Sequence, residues 1–121
     1  MPSVLVVDDE EHVRTVVSRL LAHDGHTVST VGSGREAIWK LRSDRFDVML
    51  LDLRLPEDIG VGTMTEIRDC APHLPIIVMS GRLGFEDGSI PSHVEHCGAC
   101  AYLAKPFSFE ELGEAVRTAL A

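Results

Sequence analysis

Three short apolar runs, each closed by a polar residue, constrain this chain more than any other feature. Val4-Leu5-Val6-Val7 leads into Asp8, Val48-Met49-Leu50-Leu51 into Asp52, and Ile76-Ile77-Val78-Met79 into Ser80. Four apolar residues in a row leave no face for water, so each run reads as a strand buried on both sides. Between them, Val13, Val16, Val17, Leu20 and Leu21 recur at spacings of three and four, as do Ala37, Ile38 and Leu41, which predicts amphipathic helices. A weaker strand is expected from His26 to Val31 and a fifth from Ala101 to Ala104, with further helices at about 61–71, 90–97 and 108–120. Five βα units in succession imply an α/β fold: a parallel sheet with helices on both faces, because right-handed crossovers put them there.

The breaks between these elements are local. Gly25, Gly32-Ser33-Gly34, Pro72 to Pro75 and Gly81 to Pro91 read as turns, caps or loops, and no low-complexity linker divides the chain. Gly32-Ser33-Gly34 lacks the third glycine and the Lys-Ser/Thr pair of a phosphate loop, so it reads as a turn and helix N-cap. At 121 residues the chain is expected to be one domain, 1–121. A formal net charge of −8 argues against direct binding to nucleic acid, which requires a basic face to displace counterions. No apolar run approaches the roughly 18 residues of a membrane span, and the N-terminus lacks a basic, signal-like segment, so a cytoplasmic location without membrane contact is expected. Three cysteines, Cys70, Cys97 and Cys100, are an odd number in a domain of this size and are expected to be reduced thiols, Cys70 serving in packing.

In a doubly wound sheet, ligands bind beyond the carboxyl ends of the strands where strand order reverses. In this chain those ends carry Asp8-Asp9-Glu10, Asp52, Ser80 and Lys105. Crowded carboxylates repel by about 4 kcal/mol per close pair at an effective dielectric near 20, which a hard divalent cation offsets. Oxygen donors in a partly hydrated site favour Mg²⁺. Taken singly, the acids could be helix starters, Asp52 a turn former and Lys105 a surface charge; their occurrence together at four strand ends is what points to a site.

The stretches Val4 to Glu10, Asp52-Leu53-Arg54-Leu55-Pro56, Met79-Ser80-Gly81 and Tyr102-Leu103-Ala104-Lys105-Pro106-Phe107 resemble the receiver domains of two-component response regulators, over essentially the whole chain. That resemblance implies a flavodoxin-like (βα)5 fold with a five-stranded parallel sheet in the order 2-1-3-4-5. It implies that Asp52 is the phosphoacceptor, attacking the phosphohistidine of a histidine kinase or histidine phosphotransfer protein. Asp9, Asp52 and the backbone carbonyl of Arg54 would hold Mg²⁺, with Asp8 acting through a bound water. Lys105 and Ser80 would contact the phosphoryl oxygens, and Ser80 with Tyr102 would form the conformational switch. Pro106 matches the family's cis proline. The chain is then no conventional enzyme, but a phosphoacceptor that assists its own phosphorylation and dephosphorylation.

Several features depart from the family pattern or stand outside it. The span from Ser80 to Lys105 is about three residues longer than usual, which lengthens the 81–91 loop or the helix after it; this is either a partner surface or a tolerated insertion. Ile59-Gly60 stands where an Asp-Gly pair is common. Arg54 and Arg82, each two residues past a site residue, are either modulators of phosphoryl lifetime or solvated arginines. His93, His96, Cys97 and Cys100 offer metal-ligand types, yet Gly98 to Tyr102 falls where the family turns into its fifth strand. Tyr102 also reads simply as an amphipathic ring at a strand edge. A homodimer through the fourth and fifth helices stays open, Val116 and Leu120 being core positions in any case. Two other functions compete: a receiver-like binding module that works without phosphorylation, and an aspartate-nucleophile phosphohydrolase. The latter wants a second acid two residues after the nucleophile, where this chain has Arg54.

Overall fold

The computed structural model describes residues 2–52, 61–80, 99–104 and 107–121. Within them the chain runs β1 (Ser3–Val7), α1 (Glu11–His23), β2 (Thr27–Val31), α2 (Gly34–Ser43), β3 (Val48–Asp52), α3 (Val61–Cys70), β4 (Ile76–Ser80), β5 (Ala99–Ala104) and a C-terminal helix (Phe109–Leu120). All strand pairs are parallel, and the sheet has the order β2-β1-β3-β4-β5, the order the family resemblance implied. The helix expected at 90–97 lies outside the described residues.

The apolar runs of β1, β3 and β4 are buried along their whole length, because period-2 side chains feed a core on each face of the sheet. Leu5, Val7, Met49, Leu51, Ile76 and Val78 pack with Ala37, Ile38 and Leu41 of α2 and Ile67 of α3. Val4, Val6, Val48, Leu50, Ile77 and Met79 point the other way, onto Val17 and Leu21 of α1 and Leu112 and Val116 of the C-terminal helix. Cys70 is a free thiol packed against the first core, and Leu120 is partly buried against the second. The two helices on the second face also meet at their ends, where His23 and Phe109 form an edge-on ring pair with centroids 6.3 Å apart.

Two sequence expectations need correction. Val16 was placed on the core face of α1 but is 42% exposed: at 100° per residue it lies a quarter turn from Val17, the centre of the buried stripe. β5 starts at Ala99, two residues earlier than expected, so Cys100 belongs to a strand and not to the turn before it. Ile76 pairs with Ala99 while Ile77 pairs with Ala101, which leaves Cys100 as the extra residue of a bulge.

Turn chemistry accounts for the element ends. Ser33 caps α2 by accepting from the Glu36 N–H at 3.2 Å, the N-cap role expected of the Gly32-Ser33-Gly34 stretch. α1 ends in a Schellman turn: the Gly25 N–H donates to the Ala22 carbonyl at 3.0 Å and the His26 N–H to the Leu21 carbonyl at 3.1 Å. At the end of α3, Nη1 of Arg68 donates to the carbonyls of Ala71, Pro72 and Leu74 at 3.1, 3.3 and 2.7 Å, fixing the path of the chain into β4. No described helix is long and apolar enough to cross a membrane.

Candidate functional site

β1 has β2 on one side and β3 on the other, so strand order reverses between β1 and β3. Val7 is level with Leu51 in the parallel register, and the next residue on each chain is an aspartate, Asp8 just past β1 and Asp52 at the end of β3. The Asp8 N–H donates to the Val31 carbonyl at 3.2 Å, carrying the β1–β2 ladder one residue past the strand. Asp8 and Asp52 are both 0% exposed.

Asp9 and Glu10 follow on the surface, and one carboxylate oxygen from each of Asp8, Asp9 and Glu10 lies within 4.8 Å of the others. The turn is held from inside: Oδ1 of Asp8 accepts from the Glu10 N–H at 2.9 Å, and Nη1 of Arg14 donates to the Asp8 carbonyl at 2.7 Å. Glu10 occupies the N-cap position of α1 without making a side-chain capping bond. The acids are therefore gathered at the strand end and not spent on starting the helix. The donor set is all oxygen and mostly anionic, with buried and exposed members, and suits a hard divalent ion such as Mg²⁺ that keeps part of its water.

Of the residues singled out from the sequence, the structure brings Asp8, Asp9 and Asp52 to one edge of the sheet. Ser80 ends β4 opposite Ala104, next to Met79, which pairs with Asp52. Tyr102 lies within β5, level with Val78. Lys105, Pro106, Arg54, Arg82, His93, His96, Cys97 and the 81–91 loop lie outside the described residues. Sequence reasoning treated Glu10 only as part of the motif and missed Arg14. The triplet Asp8-Asp9-Glu10 was a signal for the former; a side chain reaching a carbonyl six residues back has no sequence signature.

Fold and site together define a doubly wound α/β domain whose acidic, oxygen-donor cluster occupies the switch point of the sheet. The sequence profile of the response regulator receiver domain matches residues 4–117, and the chain belongs to that family: it is a receiver domain of two-component response regulators. It is 35% identical over 98% of its length to the transcriptional regulatory protein ZraR of Escherichia coli, of which it spans 26%. Among solved structures it is similar to the chemotaxis response regulator CheY4 of Vibrio cholerae, with a TM-score of 0.86, 31% identity and 99% of each chain covered. It is also similar to the response regulator TrrA of Thermotoga maritima, solved in complex with Mg²⁺-BeF, with a TM-score of 0.83, 30% identity, and coverage of 99% of this chain and 100% of that one.

Proposed function

We propose that residues 1–121 form one receiver domain that accepts a phosphoryl group on Asp52 from the phosphohistidine of a histidine kinase or histidine phosphotransfer protein. The observation that carries this reading is the placement of Asp52: fully buried at the end of β3, the strand that pairs with β1 at the switch point. A carboxylate oxygen of Asp52 forms the new P–O bond as the P–N bond of the donor breaks, and the departing imidazole nitrogen takes up a proton. Asp8, Asp9, Asp52 and the carbonyl of Arg54 would hold Mg²⁺, with Glu10 at its edge; when bound, the ion offsets negative charge on the phosphoryl oxygens. The Mg²⁺-BeF complex of the similar TrrA supports that assignment.

Lys105 and Ser80 are the proposed phosphoryl contacts: both match the family motif, and Ser80 ends β4, the neighbour of the strand that carries Asp52. Ser80 and Tyr102 form the proposed switch, Ser80 moving toward the phosphoryl group and Tyr102 into the space it leaves. By these groups the domain assists its own phosphorylation and dephosphorylation without being a conventional enzyme. Location in the cytoplasm, where kinase transmitter domains and small phosphodonors are found, belongs to the same reading.

Intact mass after treatment with acetyl phosphate or phosphoramidate tests it. The expected result is a Mg²⁺-dependent gain of one phosphoryl group, absent in Asp52→Asn. Folded protein that gains no mass with either donor would instead establish a binding module that works unphosphorylated.

A further inference from the structure

We propose that Arg14 is a positioning residue for the acid cluster, and that residue 32 is a glycine because a side chain there would displace that arginine. The proposal rests on reading the cluster as the Mg²⁺ site. The ties that hold Asp8 include its N–H to the Val31 carbonyl at 3.2 Å, its Oδ1 to the Glu10 N–H at 2.9 Å, and its carbonyl to Arg14 Nη1 at 2.7 Å. The first two come from the strand ladder and the turn, and Arg14 reaches the same residue with its side chain from α1. Its bond is charge-assisted and at the short end of the usual range. By holding the Asp8 carbonyl it fixes the peptide plane between Asp8 and Asp9, and with it the direction in which the Asp9 carboxylate leaves the backbone. The N-cap of α1, Glu10, makes no side-chain capping bond of its own.

Gly32 lies against the same guanidinium. A Cβ built there would be 3.3 Å from Arg14 Nη1 and 4.0 Å from its Cζ, with Glu36 Oε1 at 3.6 Å on the other side. Gly25 is the described glycine with positive φ, so left-handed backbone does not explain Gly32. Clearance for Arg14 does: the neighbour a Cβ would crowd is Nη1, the same atom that donates to the Asp8 carbonyl, and it would have to give by a few tenths of an ångström.

Calorimetric Mg²⁺ titration of the intact protein, with Arg14→Ala, Gly32→Ala and the double variant, tests the pair. Alanine is favourable in a helix, so Arg14→Ala should keep α1 formed, and unfolding of each metal-free variant verifies the fold. Arg14→Ala is expected to weaken Mg²⁺ binding by about tenfold, as loss of a supporting contact to metal ligands does. Its phosphorylation rate at saturating Mg²⁺ should be unchanged, a split that general destabilisation would not produce. Gly32→Ala should weaken binding in the parent protein and add nothing in Arg14→Ala, where the new methyl group has room. Wild-type affinity in Arg14→Ala, or equal effects of Gly32→Ala in both backgrounds, overturns the proposal while the metal site stands. Failure of the parent protein to bind Mg²⁺ overturns the metal reading and this proposal with it.

Discussion

At Gly25 the backbone takes a φ of +92° to complete the turn that ends α1, and nothing lies within 4 Å of where a Cβ would be. The cost of a side chain there is conformational, not steric crowding from neighbours. Gly25→Ala is expected to lose about 1 to 2 kcal/mol, the penalty of left-handed backbone for an L-residue; urea unfolding should show a lower midpoint with an unchanged slope. Gly25→Asn should recover part of the loss, since asparagine tolerates this conformation better. The glycine could be read from the sequence as a break between helix and strand. Asp8 and Asp52 were legible in the same way, as the polar ends of runs that had to be strands. Arg14 was not, because its partner is a backbone carbonyl that any residue supplies.

The C-terminal helix shows how much of one element is written locally. Ser108 Oγ accepts from the Glu111 N–H at 3.0 Å and Glu111 Oε1 accepts from the Ser108 N–H at 2.9 Å, a complete capping box. Ser108→Ala is expected to cost about 1 kcal/mol. Because Leu112 and Val116 of this helix are core residues, the loss should appear in global unfolding as well as in faster amide exchange of the first turn. α1 lacks such a cap and depends more on burial of Val17 and Leu21 and on the Arg14 contact. Its periodicity identified the helix yet misplaced Val16, because spacings of three and four describe a stripe wider than the contact the sheet makes. The early start of β5 was likewise beyond local pattern: alanine is a poor strand former by type, and it is pairing with Ile76 that puts Ala99 in the ladder, with Cys100 at the register shift behind it.

For the whole molecule, the buried Asp8 and Asp52 make the acid edge a place where stability and metal binding are linked. An ion that binds only the folded chain should stabilise it by about 2.7 kcal/mol at 100 times its Kd. Thermal unfolding is therefore expected to shift upward on Mg²⁺ titration, to return on addition of EDTA, and to respond much less in Asp9→Ala. A melting temperature indifferent to Mg²⁺ in the parent protein would contradict the assignment of these acids as ligands.

The order of apolar runs and helical stripes was enough to determine a parallel α/β sheet, its two-sided core and the strand ends at which chemistry would be found, because burial periodicity is a local property of sequence. Motif residues then indicated the receiver family. What the tertiary structure decided was the β1–β3 pairing that brings the strand ends carrying Asp8 and Asp52 together, the gathering of Glu10 with Asp8 and Asp9, and the reach of Arg14 to the Asp8 carbonyl. The first depends on pairing between strands far apart in the chain; the others join near neighbours in sequence, but through a turn geometry and a side-chain reach that residue types alone do not specify.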